Sequence, residues 1–189
     1  AYEIPKRDWS SDVCSSDLLF LGPGIQQTFY NSKLHNPQRP AESLLSRPLL
    51  AVTQPPLTPF SRVDWTHPLL APLLDPAFGD FTRVRARAFH TFGDPPANSP
   101  DHVLAWFGDT APALIEHPCG AGRVLVVNTS ANDEWSDLPR RNCFVPLLDE
   151  MLHRLTRARL NTSFTAGEII AFVLPAIGSN ATATITTPA

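Results

Sequence analysis

Three short apolar segments separated by tight turns occupy residues 102–128, and they constrain the fold more than any other part of the chain. The segments are HVLAWF (102–107), ALIEH (113–117) and RVLVVN (123–128). Gly108-Asp109 follows the first segment and Cys119-Gly120-Ala121-Gly122 precedes the third, as is typical of hairpin turns. The pattern predicts an antiparallel meander. Because the third segment is almost entirely apolar, we expect it to be covered on both faces.

The segment from Phe144 to Arg159 predicts an amphipathic helix. Its apolar residues recur at intervals of three and four and so form one continuous stripe. These residues are Phe144, Leu147, Leu148, Met151, Leu152 and Leu155. Pro146 lies in the first turn, where a missing N–H costs little, and arginines crowd the C-terminal end, where they suit the helix dipole.

Weaker patterns predict the remaining elements. Residues 18–24 resemble a buried strand that enters a loop, and residues 28–34 and 42–50 are each expected to form a short helix. Residues 81–92 alternate arginine with small or apolar residues, which indicates a half-exposed strand. After Gly167 two strand-like segments follow without a helix between them, so we expect a separate β-rich unit there.

Residues 1–18 resemble a translated oligonucleotide rather than a natural protein segment. Asp8 to Leu18 correspond codon by codon to an adapter ligated to DNA for short-read sequencing. Ala1 to Ile4 correspond to the part of the same oligonucleotide just before its sample index. We therefore interpret residues 1–18 as foreign and exclude them from functional inference. The expected organisation is a foreign segment over 1–18, an N-terminally truncated domain over 19–162 and the truncated start of a β-rich domain over 163–189.

Charge and cysteine content exclude several classes of protein. The chain has a net charge of −3, and the first eighteen residues contain two basic and four acidic side chains, which leaves about −1 for the rest. A near-neutral chain lacks the basic face expected of a nucleic-acid-binding protein. Beyond residue 18, the cysteines Cys119 and Cys143 form no C-x-x-C pair, so neither structural zinc nor thioredoxin-like chemistry is predicted. No segment approaches the roughly 18 apolar residues of a membrane span.

Two groups of reactive residues are better explained as structural. Glu116, His117 and Cys119 suggest a thiol nucleophile, but Cys119 lies in a glycine-flanked turn, and strand alternation directs Glu116 and His117 to opposite faces. A second group of acids and histidine matches no compact metal site, and its aspartates suit turns. This group is Asp64, His67, Asp75 and Asp80. We predict no catalytic residue, no metal site and no cofactor.

The polar loop after the third meander strand is the one candidate ligand- or partner-binding site. It comprises Asn128, Thr129, Ser130, Asp133, Trp135 and Asp137. Ligands of open α/β sheets collect beyond the carboxyl ends of strands, which favours binding here. The alternative, which we prefer, is that Trp135 packs against the helix while the polar side chains satisfy the loop backbone.

The same stretch carries a resemblance to a known family. The string GAGRVLVVNTSANDEWSDLPRRNCFVPLLDEMLHRL is similar to the extracytoplasmic region of bacterial aerotolerance-operon membrane proteins of the BatA type. The resemblance rests on a glycine-rich hairpin, a T-S-x-x-x-x-W-x-D-L-P loop and an F-V-P-L helix start. The matching residues are Gly120, Gly122, Arg123, Thr129, Ser130, Trp135, Asp137, Leu138, Pro139, Phe144, Val145, Pro146 and Leu147.

The resemblance implies a fold and a cellular setting. It implies an α/β domain, namely an incomplete class I glutamine-amidotransferase-like three-layer domain that lacks the nucleophile, followed by the start of a β-sandwich-like segment. The parent protein would carry a membrane anchor and, in some relatives, a von Willebrand factor A domain. The expected function is a non-catalytic extracytoplasmic scaffold or partner-binding domain at the bacterial cell membrane. Its partners would be other envelope proteins rather than nucleic acid, and only missing segments of the parent would meet the membrane.

Two alternatives to the scaffold remain open. One is a cysteine-dependent hydrolase or amidotransferase relative that uses Cys119. The other is a domain that binds a small ligand at the loop from Asn128 to Asp137.

Overall fold

The computed structural model describes residues 16–97, 99–109, 111–120 and 122–156. Its strands are β1 (Asp17–Phe20), β2 (Leu49–Thr53), β3 (Thr58–Ser61), β4 (Arg85–Ala86), β5 (Phe89–Phe92), β6 (His102–Phe107), β7 (Ala111–Cys119) and β8 (Gly122–Val127). The α-helices are α1 (Gln27–Leu34) and α2 (Phe144–Thr156). Short 3₁₀ turns cover Pro40–Glu42, Ala71–Leu74, Pro76–Phe78, Phe81–Arg83 and Leu138–Arg140.

The strands form a six-stranded sheet in the order β1-β8-β7-β6-β3-β4 and a separate ribbon of β2 and β5. The predicted meander is confirmed, because β6, β7 and β8 pair antiparallel in sequence order. Gly108 and Gly120, with φ of 54° and 59°, adopt the left-handed conformation in the turns of the two hairpins.

Strand β8 is buried on both faces, as expected from its apolar sequence. Leu125 and Val127 belong to a core cluster that includes Leu147 and Met151 of α2. Their neighbours Val124 and Val126 belong to a second cluster, which contains residues from the segment between β1 and β2. Successive side chains of a strand point to opposite faces, so these two clusters lie on opposite sides of the sheet.

This topology confirms a mixed α/β class but does not fit the specific class I glutamine-amidotransferase-like fold. The strands β1 and β8 are parallel, whereas the other described pairings of the sheet are antiparallel. The physical reason is the length of the connections, since tight turns join only antiparallel strands and parallel strands need long crossovers.

Helices α1 and α2 agree with the predicted segments, and α2 is described as far as Thr156. Leu147, Met151 and Leu155 of its apolar stripe are buried. Leu152 departs from the prediction, because it is 54% exposed. The sheet covers only the central part of the stripe.

The predicted helix over residues 42–50 is wrong. Ser43 instead turns the chain, because its hydroxyl accepts from the Asn36 N–H at 2.7 Å and donates to the Asn36 carbonyl at 3.1 Å. Such local bonds compete with helix formation. Pro48 lacks an N–H and precedes strand β2, so this part of the chain is extended.

The single strand predicted over residues 81–92 is divided into three parts. Asp80 caps the 3₁₀ turn Phe81–Arg83 by accepting from the Thr82 N–H at 2.9 Å. Strand β4 then joins the large sheet, whereas β5 joins the ribbon with β2. The chain bends between them because the N–H groups of Arg87 and Ala88 both donate to the Trp135 carbonyl, at 2.7 and 3.3 Å.

Strand β1 includes the last two residues of the segment interpreted as foreign. Asp17 and Leu18 pair with Val124 and Leu125 of β8. Strand pairing uses backbone groups that every residue other than proline carries, so it does not reveal the origin of these residues. Ser16 of the same segment is also described, and its hydroxyl accepts from the Arg123 N–H at 3.4 Å. Residues 1–15 and the β-rich unit expected over 163–189 lie outside the described residues.

No helix within the described part of the chain is long and apolar enough to cross a membrane.

The burial of α2 gives a matched pair of substitutions. Leu147 is 2% exposed and Leu152 of the same helix is 54% exposed. We expect Leu147→Ala to lower the free energy of unfolding by about 2–5 kcal/mol, because it leaves a cavity beneath the helix. Leu152→Ala should change it by no more than about 0.5 kcal/mol. Urea unfolding of both variants measures the difference, and equal losses would contradict the described packing of α2.

Candidate functional site

A polar pocket opens where one edge of the meander meets the C-terminal half of α2. Its volume is about 230 Å³. The residues that line it include His67, His102, Glu116, Gly122, Arg123 and Arg154. They come from the loop after β3, from strands β6, β7 and β8, and from α2. The pocket therefore exists only when these separate segments are folded together.

The Glu116 carboxylate is the centre of the pocket. The residue is only 6% exposed, although it carries a charge. Its Oε1 accepts from the Arg154 Nε–H at 3.0 Å and from the Arg123 guanidinium, and its Oε2 lies 2.9 Å from Nε2 of His67. Charge-assisted hydrogen bonds of this kind offset the cost of removing a carboxylate from water.

The surroundings of His67 favour its neutral form with the proton on Nε2. Nδ1 lies 3.4 Å from the Leu69 N–H and can accept from it, which leaves the proton on Nε2 to be donated to Glu116 at 2.9 Å. Burial lowers the pKa of His67, while the Glu116 carboxylate opposes that effect and Arg154 adds to it. The His102 ring packs edge-on against His67 with centroids 5.6 Å apart, and its Nε2 lies 3.2 Å from the Asp64 carboxylate.

Sequence reasoning named Glu116 and His67 in separate groups but did not predict that they meet in this site. The expectation that Glu116 and His117 point to opposite faces is confirmed, since Glu116 contacts Arg154 of α2 whereas the His117 ring lies 3.2 Å from the Leu44 carbonyl. Arg154 is 38 residues away in the chain, and His67 lies in a proline-rich loop. The only local signal was a charged residue on an otherwise apolar strand.

Both described cysteines are buried and free. Burial raises the pKa of the Cys119 thiol, and the nearby carboxylates of Asp17 and Glu42 raise it further. Burial also raises the pKa of Cys143. Cys119 belongs to the core cluster on the face opposite Glu116. Neither thiol has the electropositive, accessible surroundings of a reactive cysteine.

The predicted binding loop begins with a fully buried side chain, that of Asn128. Its amide oxygen accepts from the His90 N–H at 3.0 Å, and its amide nitrogen donates to the carbonyls of His90 and Pro112 at 2.8 and 2.7 Å. Asn128 thereby ties β5 to the start of β7. All three bonds are to the backbone of the protein itself.

The other residues of the loop also pack against or bind other parts of the chain. Ser130 and Trp135 are buried, and the Trp135 ring packs against His90 with centroids 5.1 Å apart. Thr129 is buried as well. Asp137 accepts from the Arg85 N–H at 2.7 Å and pairs with Arg141.

Asp133 of the same loop pairs with the exposed side chain of Arg140. The structure thus brings the six loop residues together, but with their side chains directed mainly to other parts of the chain. The Trp135 ring packs against His90 of β5.

The residues considered as metal ligands are dispersed. Asp64, Asp75 and Asp80 each accept from the backbone N–H two residues later, as expected of turn residues. Within the described ranges, no group of three or more histidine, cysteine, aspartate or glutamate side chains could hold a metal ion.

Comparison with known proteins identified no match in protein-family models or curated sequences. The BatA-type resemblance therefore depends on the motif residues alone.

The buried amide of Asn128 predicts a stability effect. Asn128→Ala removes the partner of three buried backbone groups, each of which costs about 1–3 kcal/mol when left unpaired. We expect the free energy of unfolding to fall by at least about 2 kcal/mol. The exposed Asn132→Ala is the control and should have a much smaller effect. Chemical unfolding checks this, and a loss no larger than that of the control would count against the bonds of Asn128.

The lowered pKa of His67 predicts a pH dependence of stability. An unfolded histidine titrates near pH 6.5, so a group with a lower pKa in the folded chain binds protons preferentially when unfolded. The contribution of His67 to the free energy of unfolding should therefore be fully present above about pH 6.5 and decrease as the pH falls below that value. Burial also lowers the pKa of His90, so protonation of this residue likewise favours the unfolded chain.

The substitution His67→Gln tests this pH dependence. The glutamine amide can still donate to Glu116 but does not titrate. We expect the free energy of unfolding of this variant to fall less steeply below about pH 6.5, because only the contribution of His90 to the pH dependence remains. His153→Gln, at a side chain that is 55% exposed, serves as the control. Thermal unfolding from pH 7.5 to pH 5 measures the slopes, and identical slopes for wild type and His67→Gln would refute the assignment.

Proposed function

We propose that the chain is a non-catalytic binding domain whose recognition site is the pocket around Glu116. The observation that carries this proposal is the convergence of charged side chains from distant segments in an open pocket that contains no thiol or hydroxyl nucleophile among its described lining residues. Glu116 itself is held by Arg123, Arg154 and His67. Its oxygens are engaged in these contacts, so it is poorly suited to accept a proton from a substrate.

We extend this proposal to the parent protein. The domain would serve as an extracytoplasmic scaffold or partner-binding part of a membrane-anchored bacterial protein of the BatA type, in contact with other envelope proteins. The support is the motif from Gly120 to Leu147. An amidotransferase-like ancestry has narrower support, namely the parallel pair β1–β8 with α2 packed against it.

The cysteine-dependent hydrolase or amidotransferase is less well supported. A thiol nucleophile needs a lowered pKa and a base within hydrogen-bond distance. Burial instead raises the pKa of the Cys119 thiol, and this thiol lies on the opposite face of the sheet from Glu116. The small-ligand alternative at the loop from Asn128 to Asp137 is weakened by the contacts that those side chains make within the protein.

Thiol labelling tests the non-catalytic proposal against the cysteine-dependent alternative. The experiment uses the full chain with Cys14→Ser, because Cys14 lies in the segment interpreted as foreign. We expect iodoacetamide at neutral pH to label Cys119 and Cys143 negligibly in the folded chain and completely in denaturant, because both thiols are buried.

Single Cys119→Ser and Cys143→Ser variants assign any labelling to one residue. Rapid modification of Cys119 in the folded chain, at a rate well above that of free cysteine, would overturn the non-catalytic proposal. Negligible labelling of the folded chain supports it.

A further inference from the structure

We infer that the pocket around Glu116 binds a single oxyanion group, a carboxylate or a phosphate, through the guanidinium groups of Arg123 and Arg154. The inference deepens the proposed function, since it names the ligand chemistry of the same pocket. It rests on the charge, the geometry and the exposure of the described lining residues.

The charges that line the pocket do not cancel. Arginine stays protonated at every physiological pH, so Arg123 and Arg154 carry two positive charges. Glu116 is the only carboxylate among the described lining residues. Asp64 does not line the pocket, and its carboxylate accepts from the Thr66 N–H and hydroxyl and faces His102. One positive charge therefore remains for an anion that enters the pocket.

The hydrogen-bond donors are also in excess. Two guanidinium groups have ten N–H donors between them, because each has five, whereas an ionised carboxylate offers about four lone-pair positions. Glu116 already shares these positions with His67. Arg154 directs Nε and Nη2 to Glu116, and each of these atoms is 3.0 Å from Oε1. Nε of Arg123 is buried without a hydrogen-bond partner among the described residues, whereas the other free N–H groups belong to side chains that are partly exposed and can meet a second oxyanion.

The two arginines are held in place while they remain accessible. Their side chains are 32% and 30% exposed for Arg123 and Arg154, whereas the Glu116 side chain is 8% exposed. Glu116 thus holds each guanidinium group by an ion pair, while about a third of each arginine side chain stays exposed. Fixed donors lose little conformational entropy on binding. The planar guanidinium group matches carboxylate and phosphate oxygens in pairs.

The test is a titration of the 189-residue chain followed by amide chemical shifts. Sodium acetate and inorganic phosphate are the two probes, and sodium chloride at the same ionic strength is the control. We expect saturable shifts at the amides of Glu116, Gly122 and Arg123 with at least one oxyanion and none with chloride. Saturation by acetate alone assigns a carboxylate ligand, and saturation by phosphate alone assigns a phosphate ligand.

Matched arginine variants locate the binding site. Arg154→Gln should weaken the binding of the effective probe at least about tenfold, the loss expected for a charge-assisted hydrogen bond. Arg140→Gln removes a 72% exposed arginine that does not line the pocket and should leave the affinity unchanged. If Arg154→Gln fails to fold, the position of the shifts in the wild type decides the question.

Three results would overturn the inference. These are the absence of saturable shifts with both oxyanions, shifts centred away from the pocket, or equal weakening by Arg154→Gln and Arg140→Gln. If neither oxyanion binds and the thiols are unreactive, the oxyanion inference is refuted but the non-catalytic proposal is not. Rapid labelling of Cys119 would refute the non-catalytic proposal, whatever the titration shows.

Discussion

The burial of strand β8 on both faces is the constraint on which the rest of this structure depends. Val124, Leu125, Val126 and Val127 are each at most 1% exposed. A strand that is apolar on both sides needs a layer on each side, since burial of apolar surface is worth roughly 25 cal/mol per Å². Helix α2 supplies one layer, and the segment between β1 and β2 supplies the other.

The same packing creates the pocket. The hairpin of β7 and β8 aligns Glu116 with Leu125, so that Glu116 lies on the face that α2 covers. The stripe of α2 that contacts this face includes Met151 and Leu155, and it places Arg154 at the edge of the contact, within reach of Glu116. A buried carboxylate is costly unless it is paired, and the positions of α2 and β8 supply its partners.

The loop after β8 joins the sheet to the β2–β5 ribbon. Asn128 binds the backbone of β5 and β7, and the Trp135 carbonyl accepts from Arg87 and Ala88 at the point where one sheet ends and the ribbon begins. Polar residues beyond the end of a strand suggested a ligand site, yet Asn128 and Asp137 bind the backbone of neighbouring strands. Trp135, Asp137 and Leu138 of the Trp-x-Asp-Leu-Pro motif thus have contacts within the fold, since Trp135 packs against His90, Asp137 accepts from the Arg85 N–H and Leu138 is buried.

The sequence by itself determined the elements that depend on local patterns. Alternating and continuous apolar residues with glycine turns specify β6, β7 and β8, and the repeat of apolar residues at intervals of three and four specifies α2. In residues 42–50 the short-range hydrogen bonds between Ser43 and Asn36 oppose the predicted helix. Tertiary structure alone decided the break within residues 81–92, where the Trp135 carbonyl accepts from the N–H groups of Arg87 and Ala88. It alone also assembled Glu116 with His67, Arg123 and Arg154. A charge on a strand does not reveal its partners, because sheet register and helix packing bring them together from distant parts of the chain.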